Sequence, residues 1–220
     1  MADTSLKAQF DALQAERERT WAPEQLRRNA GTREDLVRKY DPRNHVQVGE
    51  LVEPFTLVDG AGKEISRDDL LRHGPAVLIF YRYGGCPACN IALPHYDRNL
   101  TQRLRAQGIT LIAISPQTPV DPALAPRHGL ELLLASDPGN ALGRRLGITF
   151  EPEDKPAVKP GDSWIGSLTG TGTWELPQPT VVVLDQDASV RFVDVSPDWL
   201  ARTEVGTILD ALPELRAAAA

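Results

Sequence analysis

The chain's only two cysteines, Cys86 and Cys89, stand two residues apart in "FYRYGGCPACNIALPHY", Phe80 to Tyr96. Such a pair can cycle between dithiol and disulfide, supply half of a metal site, or simply pack. A zinc site needs a second ligand pair, and His45, His73, His95 and His128 are scattered without that spacing. Packing gives no reason for Gly84-Gly85 ahead of the first sulfur or Pro87 between the two. Redox chemistry uses all of these residues: a thiolate is the nucleophile, and a second thiol within reach closes the disulfide.

The elements around the pair suit that chemistry. "AVLIFY" is a continuous apolar run, as in a strand covered on both faces. The cysteines follow it directly, and a helix then runs to about Gln107 and stops at Gly108. Cys86 therefore falls at or before a first helical turn, where unpaired N–H groups favour an anion. An ordinary thiol pKa of about 8.5 can fall to near 7 in that setting. Pro87 fits a first turn because it needs no N–H acceptor. Arg82 adds positive charge. Cys89 lies nearly one turn on, so the first sulfur is expected to be exposed and the second tucked behind it. Gly85 and its neighbour leave room for a substrate or partner to approach.

Composition narrows the setting. The net charge of −6 gives no broad basic surface for nucleic acid. The charged N-terminus is unlike a secretion signal, and the longest apolar run, Ala76 to Tyr81, is strand-sized rather than membrane-spanning. A cytoplasmic location is expected, where a two-cysteine pair is catalytic, redox-sensing or metal-binding rather than a staple.

Residues 4–40 read as an arm of amphipathic helices broken near Pro23, with Leu6, Phe10 and Leu13 at helical spacing. Its apolar stripe packs either on the main domain or on a second subunit, so a homodimer is one expectation. The division expected is an arm at 1–44 and a redox domain at 45–220. In the latter, "PFTLVDGAGKEIS" reads as a hairpin, "SRDDLLRHG" as a helix capped by Ser66, and "ITLIAIS" and "LELLLAS" as buried strands. "SDPGNALGRRLGI" reads as a helix, "PTVVVLD" and "VRFVDV" as a second hairpin, and residues 198–217 as a closing helix. Residues 151–176, rich in Pro, Gly, Ser and Thr, form a long excursion before a strand that could abut the site. The fold class is α/β: a central mixed sheet, parallel-rich with an antiparallel edge, helices on both faces, and an N-terminal helical arm.

Pro94, five residues after Cys89, lies inside the expected helix. "CPACNIALP" resembles the active site of thioredoxin-fold proteins, a strand, Cys-x-x-Cys and a proline-bent helix. In "LPQPTVVVLD" the resemblance implies a cis peptide facing the cysteines, at Gln178–Pro179 with Pro177 as the competing position. The ordered segments "VQVGELVEPFTLVDGAGKEIS", "AVLIFYRYGGCPAC", "ITLIAISPQTP", "LLLASDPGNALGRRLGI", "LPQPTVVVLD" and "DWLARTE" are similar to the peroxiredoxin-like branch of the alkyl hydroperoxide reductase/thiol-specific antioxidant (AhpC/TSA) family. This implies a thioredoxin-like fold of peroxiredoxin type over Val46 to the C-terminus.

The chain departs from that family's Pro-x-x-x-Thr-x-x-Cys pattern. Counting back from Cys86 puts Ile79 and Tyr83 at the Pro and Thr positions; counting back from Cys89 puts Arg82 and Cys86 there. The branch's Trp before the first cysteine is Gly85 here. Cys86 is the preferred attacking thiol, with Cys89 the alternative. Arg191 has no assigned role. The resemblance implies hydroperoxide reduction by a thiol pair, recycled by a thioredoxin-type or low-molecular-weight thiol, without haem, flavin or nucleotide. Two alternatives stand beside it: a thiol–disulfide oxidoreductase acting on protein or small-molecule disulfides, and a non-catalytic redox sensor or partner-binding domain.

Overall fold

The computed structural model describes residues 4–153, 155–159 and 161–212. At its centre is β3 (Ala76–Phe80), every residue of which is buried. It pairs in parallel with β4 (Thr110–Ser115), which pairs in parallel with β5 (Leu133–Ser136). On its other side it pairs antiparallel with β8 (Thr180–Leu184), the partner of β9 (Val190–Val195). The hairpin of β1 (Thr56–Asp59) and β2 (Glu64–Ser66) joins β5 antiparallel, giving the order β2-β1-β5-β4-β3-β8-β9. The sheet is mixed, as the sequence led us to expect, with fewer parallel strands than its alternation of strands and helices implied. Only the three middle strands run parallel, because a hairpin closes each flank and needs no crossover helix.

Alternation along the strands builds two cores. Val77, Ile79 and Tyr81 join Val181 and Val183 on the face carrying the cysteines. Ala76, Leu78 and Phe80 face the other way, with Val182 and Leu184. That second face is closed by α3 (Arg67–Leu70), held by a reciprocal Ser66–Asp69 cap, and by α6 (Ala141–Arg145). α5 (Leu124–His128) adds Leu124 to the cysteine-side core.

The cysteine face is covered by α4 (Cys89–Arg105), with Pro94 inside it. Over α4 packs α1 (Leu6–Thr20), whose Leu6 and Phe10 are buried in the same core; α2 (Pro23–Lys39) follows. The partner of the arm's stripe is thus the chain's own body. Polar ties reinforce the docking. Glu204 accepts from the Leu6 and Lys7 amides at 3.1 and 2.9 Å, and Arg33 grips Asp198 through two 2.6 Å bonds.

Two other expectations change. Among the described residues the closing helix is α8 (Val205–Asp210); residues 198–204 form a turn in which Asp198 accepts from the Leu200 amide. Residues 213–217 lie outside the described residues. The excursion 151–176 leaves from β6 (Thr149–Phe150), contains α7 (Ile165–Leu168), and returns at β7 (Leu176–Pro177), which pairs with β6. Among the described residues, no helix is long and apolar enough to cross a membrane.

Candidate active site

The loop after β3 is held by the end of the neighbouring strand β4. The Tyr81 amide still donates to Ile114, but the ladder ends there. The Ser115 hydroxyl donates to the Arg82 carbonyl at 3.0 Å, and the Gly84 amide donates to Gln117 Oε1 at 2.8 Å. Gly84 is required by close approach: a Cβ there would lie 2.6 Å from Asp121 Oδ2. The Cys86 amide donates to Tyr83, closing the turn that delivers the first sulfur.

The two sulfurs are 2.6 Å apart and unbonded. The Cys89 amide donates to Cys86 Sγ at 3.3 Å, so an orphan donor of the helix start meets sulfur as expected. The expected exposure of Cys86 is not found. It is 2% exposed and Cys89 0%, because the pair lies within the core that Leu6 and Phe10 of the arm complete. Gly85 and Pro87 beside it are exposed. The Tyr83 ring lies against Gly85, near enough that a Cβ there would sit 3.0 Å from it.

A buried thiolate needs a counter-charge. Arg202 supplies it, with Nη2 3.4 Å from Cys89 Sγ and Nε donating to the Trp199 carbonyl at 3.0 Å. Contact between the sulfurs drives the two thiols in opposite directions. The hydrogen bond to Cys89, then burial, hold the Cys86 thiol well above the usual range. Burial alone would also raise Cys89. The hydrogen bond with Cys86, the charge and contact of Arg202, and the Arg82 amide overcome it and hold Cys89 well below that range.

Arg82 also lies near the pair, its guanidinium 4.7 Å from the Trp199 ring and 5.9 Å from that of Tyr83. Gln178 and Pro179 sit at the same end of the sheet, since Thr180 pairs with Phe80, but neither hydrogen-bonds a sulfur. The cis peptide expected at Pro179 or Pro177 is not there; the one among the described residues is Thr118–Pro119. Strand pairing and bonds from Gln178 N to Ile148 and from Ser196 N to Pro179 hold 177–179 extended. Arg191 pairs with Asp185, away from the sulfurs. Among the described residues no group of three His, Cys, Asp or Glu is placed to hold a metal.

Arg202 went unread in the sequence although it lies in "DWLARTE", one of the segments carrying the resemblance. A second arginine, Arg17 of α1, also went unread. It is 5% exposed, stacks 4.7 Å from the Trp21 ring, and lies near enough to Cys86 and Arg82 for their charges to act on it. On a helix crowded with charges, nothing local set it apart.

A thiol pair at the end of a central strand, on a thioredoxin-like fold, is an arrangement suited to thiol redox chemistry. Residues 48–193, well over half of the chain, match the AhpC/TSA family, and the chain belongs to that family. It is an enzyme of the thiol peroxidase or thiol–disulfide oxidoreductase kind. Its fold is similar to that of the peroxidoxin BcpB from Mycobacterium tuberculosis, at 23% identity over 79% of this chain and 98% of that one, with a TM-score of 0.59. It is also similar to a peroxiredoxin-like protein from Aquifex aeolicus, at 14% identity, 78% and 88% coverage, and a TM-score of 0.59. The bacterioferritin comigratory protein of Xanthomonas campestris, described for its alkyl peroxide reduction activity, gives 15%, 76% and 92%, and 0.55. At these identities the likeness speaks to the fold. No curated protein sequence matches the chain.

Proposed function

We propose that the chain reduces hydroperoxides with the Cys86–Cys89 pair, and that Cys89 is the attacking thiolate. The observation that carries this is Arg202 at 3.4 Å from Cys89, drawing negative charge to that sulfur. This favours Cys89 over the sequence preference for Cys86. It also corresponds to the register that puts Arg82 and Cys86 at the family's Pro and Thr positions.

Cys89 sulfur attacks the distal peroxide oxygen, an S–O bond forms, and the O–O bond breaks. The leaving alkoxide takes a proton to become an alcohol, and Cys89 becomes a sulfenic acid. Cys86 sulfur then displaces hydroxide, which leaves as water with the thiol's proton, and the disulfide closes. A dithiol of thioredoxin type, or two small thiols, attacks Cys86, which is flanked by exposed Gly85 and Pro87, and is itself oxidised to disulfide. The near-closed sulfurs favour a small peroxide over a folded protein disulfide as oxidant.

Stopped-flow oxidation of the reduced protein, with mass spectrometry of single variants, tests both parts. Cys86→Ser should accumulate a dimedone-reactive sulfenic acid on Cys89, and Cys89→Ser should react no faster than free cysteine. Sulfenic acid formed rapidly on Cys86 in Cys89→Ser would reverse the assignment. A wild-type rate no faster than free cysteine would remove the peroxidase altogether and leave disulfide exchange.

A further inference from the structure

Arginine is a long side chain with many rotamers, and a charge that steadies a thiolate must be held in one of them. Arg202 is mounted on the turn 198–204, which is pinned at both ends. At the far end the Thr203 carbonyl accepts from the Tyr96 hydroxyl of α4 at 2.7 Å, and the Thr203 hydroxyl donates to Asp194 at 2.7 Å. At the near end Asp198 Oδ1 accepts from the Leu200 amide, and the Asp198 carbonyl from the Ala201 amide, both at 2.9 Å. These bonds aim the carbonyl of Trp199. That carbonyl takes Arg202 Nε at 3.0 Å while Nη2 reaches Cys89.

Asp198 is itself anchored by the arm. Arg33 of α2 donates Nε and Nη2 to its two oxygens, each at 2.6 Å, and the two side chains are only 21% and 25% exposed. The pairs Arg19–Glu16, Arg28–Glu24 and Arg38–Asp35 of the same arm are different: each is exposed and stays within one helix. Such surface pairs contribute little, whereas a two-pronged grip largely out of water also fixes geometry. Arg33 and Asp198 are 165 residues apart, so this grip joins the arm to the turn beside the site.

We propose that Arg33 and Asp198 are positioning residues for the active site: the arm holds the turn, the turn holds Arg202, and Arg202 holds the Cys89 thiolate. This rests on the assignment of Cys89 made above. The groups facing Cys89 are Cys86, Arg202, Arg82 with Tyr81 and Tyr83 at the end of β3 and its loop, and Tyr96 of α4. Burial keeps the three tyrosines neutral by raising them above the usual range. Arg202 is therefore the cation in contact with Cys89, and its placement matters most. The sign of the effect separates positioning from a simple field. Asp198 is an anion, so by field alone removing its charge would favour the thiolate; as the mount of Arg202, its loss disfavours it.

The test reads thiolate absorbance against pH in Cys86→Ser, where Cys89 is the only thiol. Asp198→Asn keeps an acceptor for the Leu200 amide and loses the ion pair. It should raise the Cys89 pKa by about half a unit, a roughly threefold loss of thiolate at pH values below it. Arg33→Gln should match it, Arg33→Lys should recover part of the loss, and Arg38→Gln should change nothing. With Arg202→Gln already in place, Asp198→Asn should have no further effect. A Cys89 pKa that Asp198→Asn lowers or leaves unchanged overturns the inference, as does an Asp198→Asn effect that survives Arg202→Gln. If Cys89 titrates at about 8.5 or above with Arg33, Asp198 and Arg202 all intact, the Cys89 assignment itself falls and takes the inference with it.

Discussion

The two faces of the sheet are built from alternate residues of the same strands yet solve different problems. The face of Ala76, Leu78 and Phe80 packs against aliphatic side chains from α3, α6 and β1. The face of Val77, Ile79 and Tyr81 encloses two cysteines, receives Arg202 from the C-terminal turn, and is roofed by the arm. The first is an ordinary apolar core, whose worth is the surface removed from water. On the function proposed above, the second gives up part of that gain to shelter a thiolate, and recovers it only while Arg202 and the backbone donors stay in place. Stability and reactivity are therefore separable on one face and coupled on the other.

The sharpest break of that contrast is at the arm. Phe10 is 1% exposed and its ring lies 5.8 Å from the Arg202 guanidinium. Phe10→Ala should cost about 3–5 kcal/mol of unfolding free energy. It should also slow alkylation of the folded protein by iodoacetamide, because Arg202 loses its support. Leu78→Ala, on the opposite face, should cost about 2–5 kcal/mol in urea denaturation. Thiol reactivity per folded molecule should be untouched; a matching loss of reactivity would show the faces to be coupled after all.

A smaller effect on folding and a clear one on chemistry is expected for Arg202→Gln. A hydrogen bond to a charged group is worth about 1.5–3 kcal/mol. Its loss should raise the lower thiol pKa by at least about one unit, read from thiolate absorbance against pH, and slow neutral-pH alkylation roughly tenfold or more. The least effect is the pH dependence of stability. Cys89 titrates below the unfolded thiol value of about 8.5, so its contribution is fully present above that pH and fades as pH falls through the folded value. Cys86 titrates above it, so its contribution is fully present below that pH and fades as pH rises through its folded value. Reduced wild type minus the double serine variant should give a stability difference peaking near pH 8.5; a flat difference would mean the sulfurs do not shift one another.

Much of the fold was legible because local patterns agreed with one another. "AVLIFY" became β3, Ser66 capped α3 with Asp69, Pro94 entered α4 and Pro23 began α2. Direction within the two hairpins was legible, but how each hairpin joins the sheet was not, since an apolar run reads the same parallel or antiparallel. The closing helix was overextended because Trp199 and Leu200 resemble a helical stripe, whereas Asp198 and Arg33 fix a turn there.

The sequence by itself determined that two thiols would meet at the start of a helix after a buried strand, since spacing and backbone donors are local properties. Only the tertiary structure decided how those thiols are charged. Arg17 stands 69 residues before Cys86 and Arg202 stands 113 residues after Cys89, so their fields reach the sulfurs through packing and not through the chain. Coulomb energy depends on distance in space and on the water excluded between charges, and neither is written in residue order.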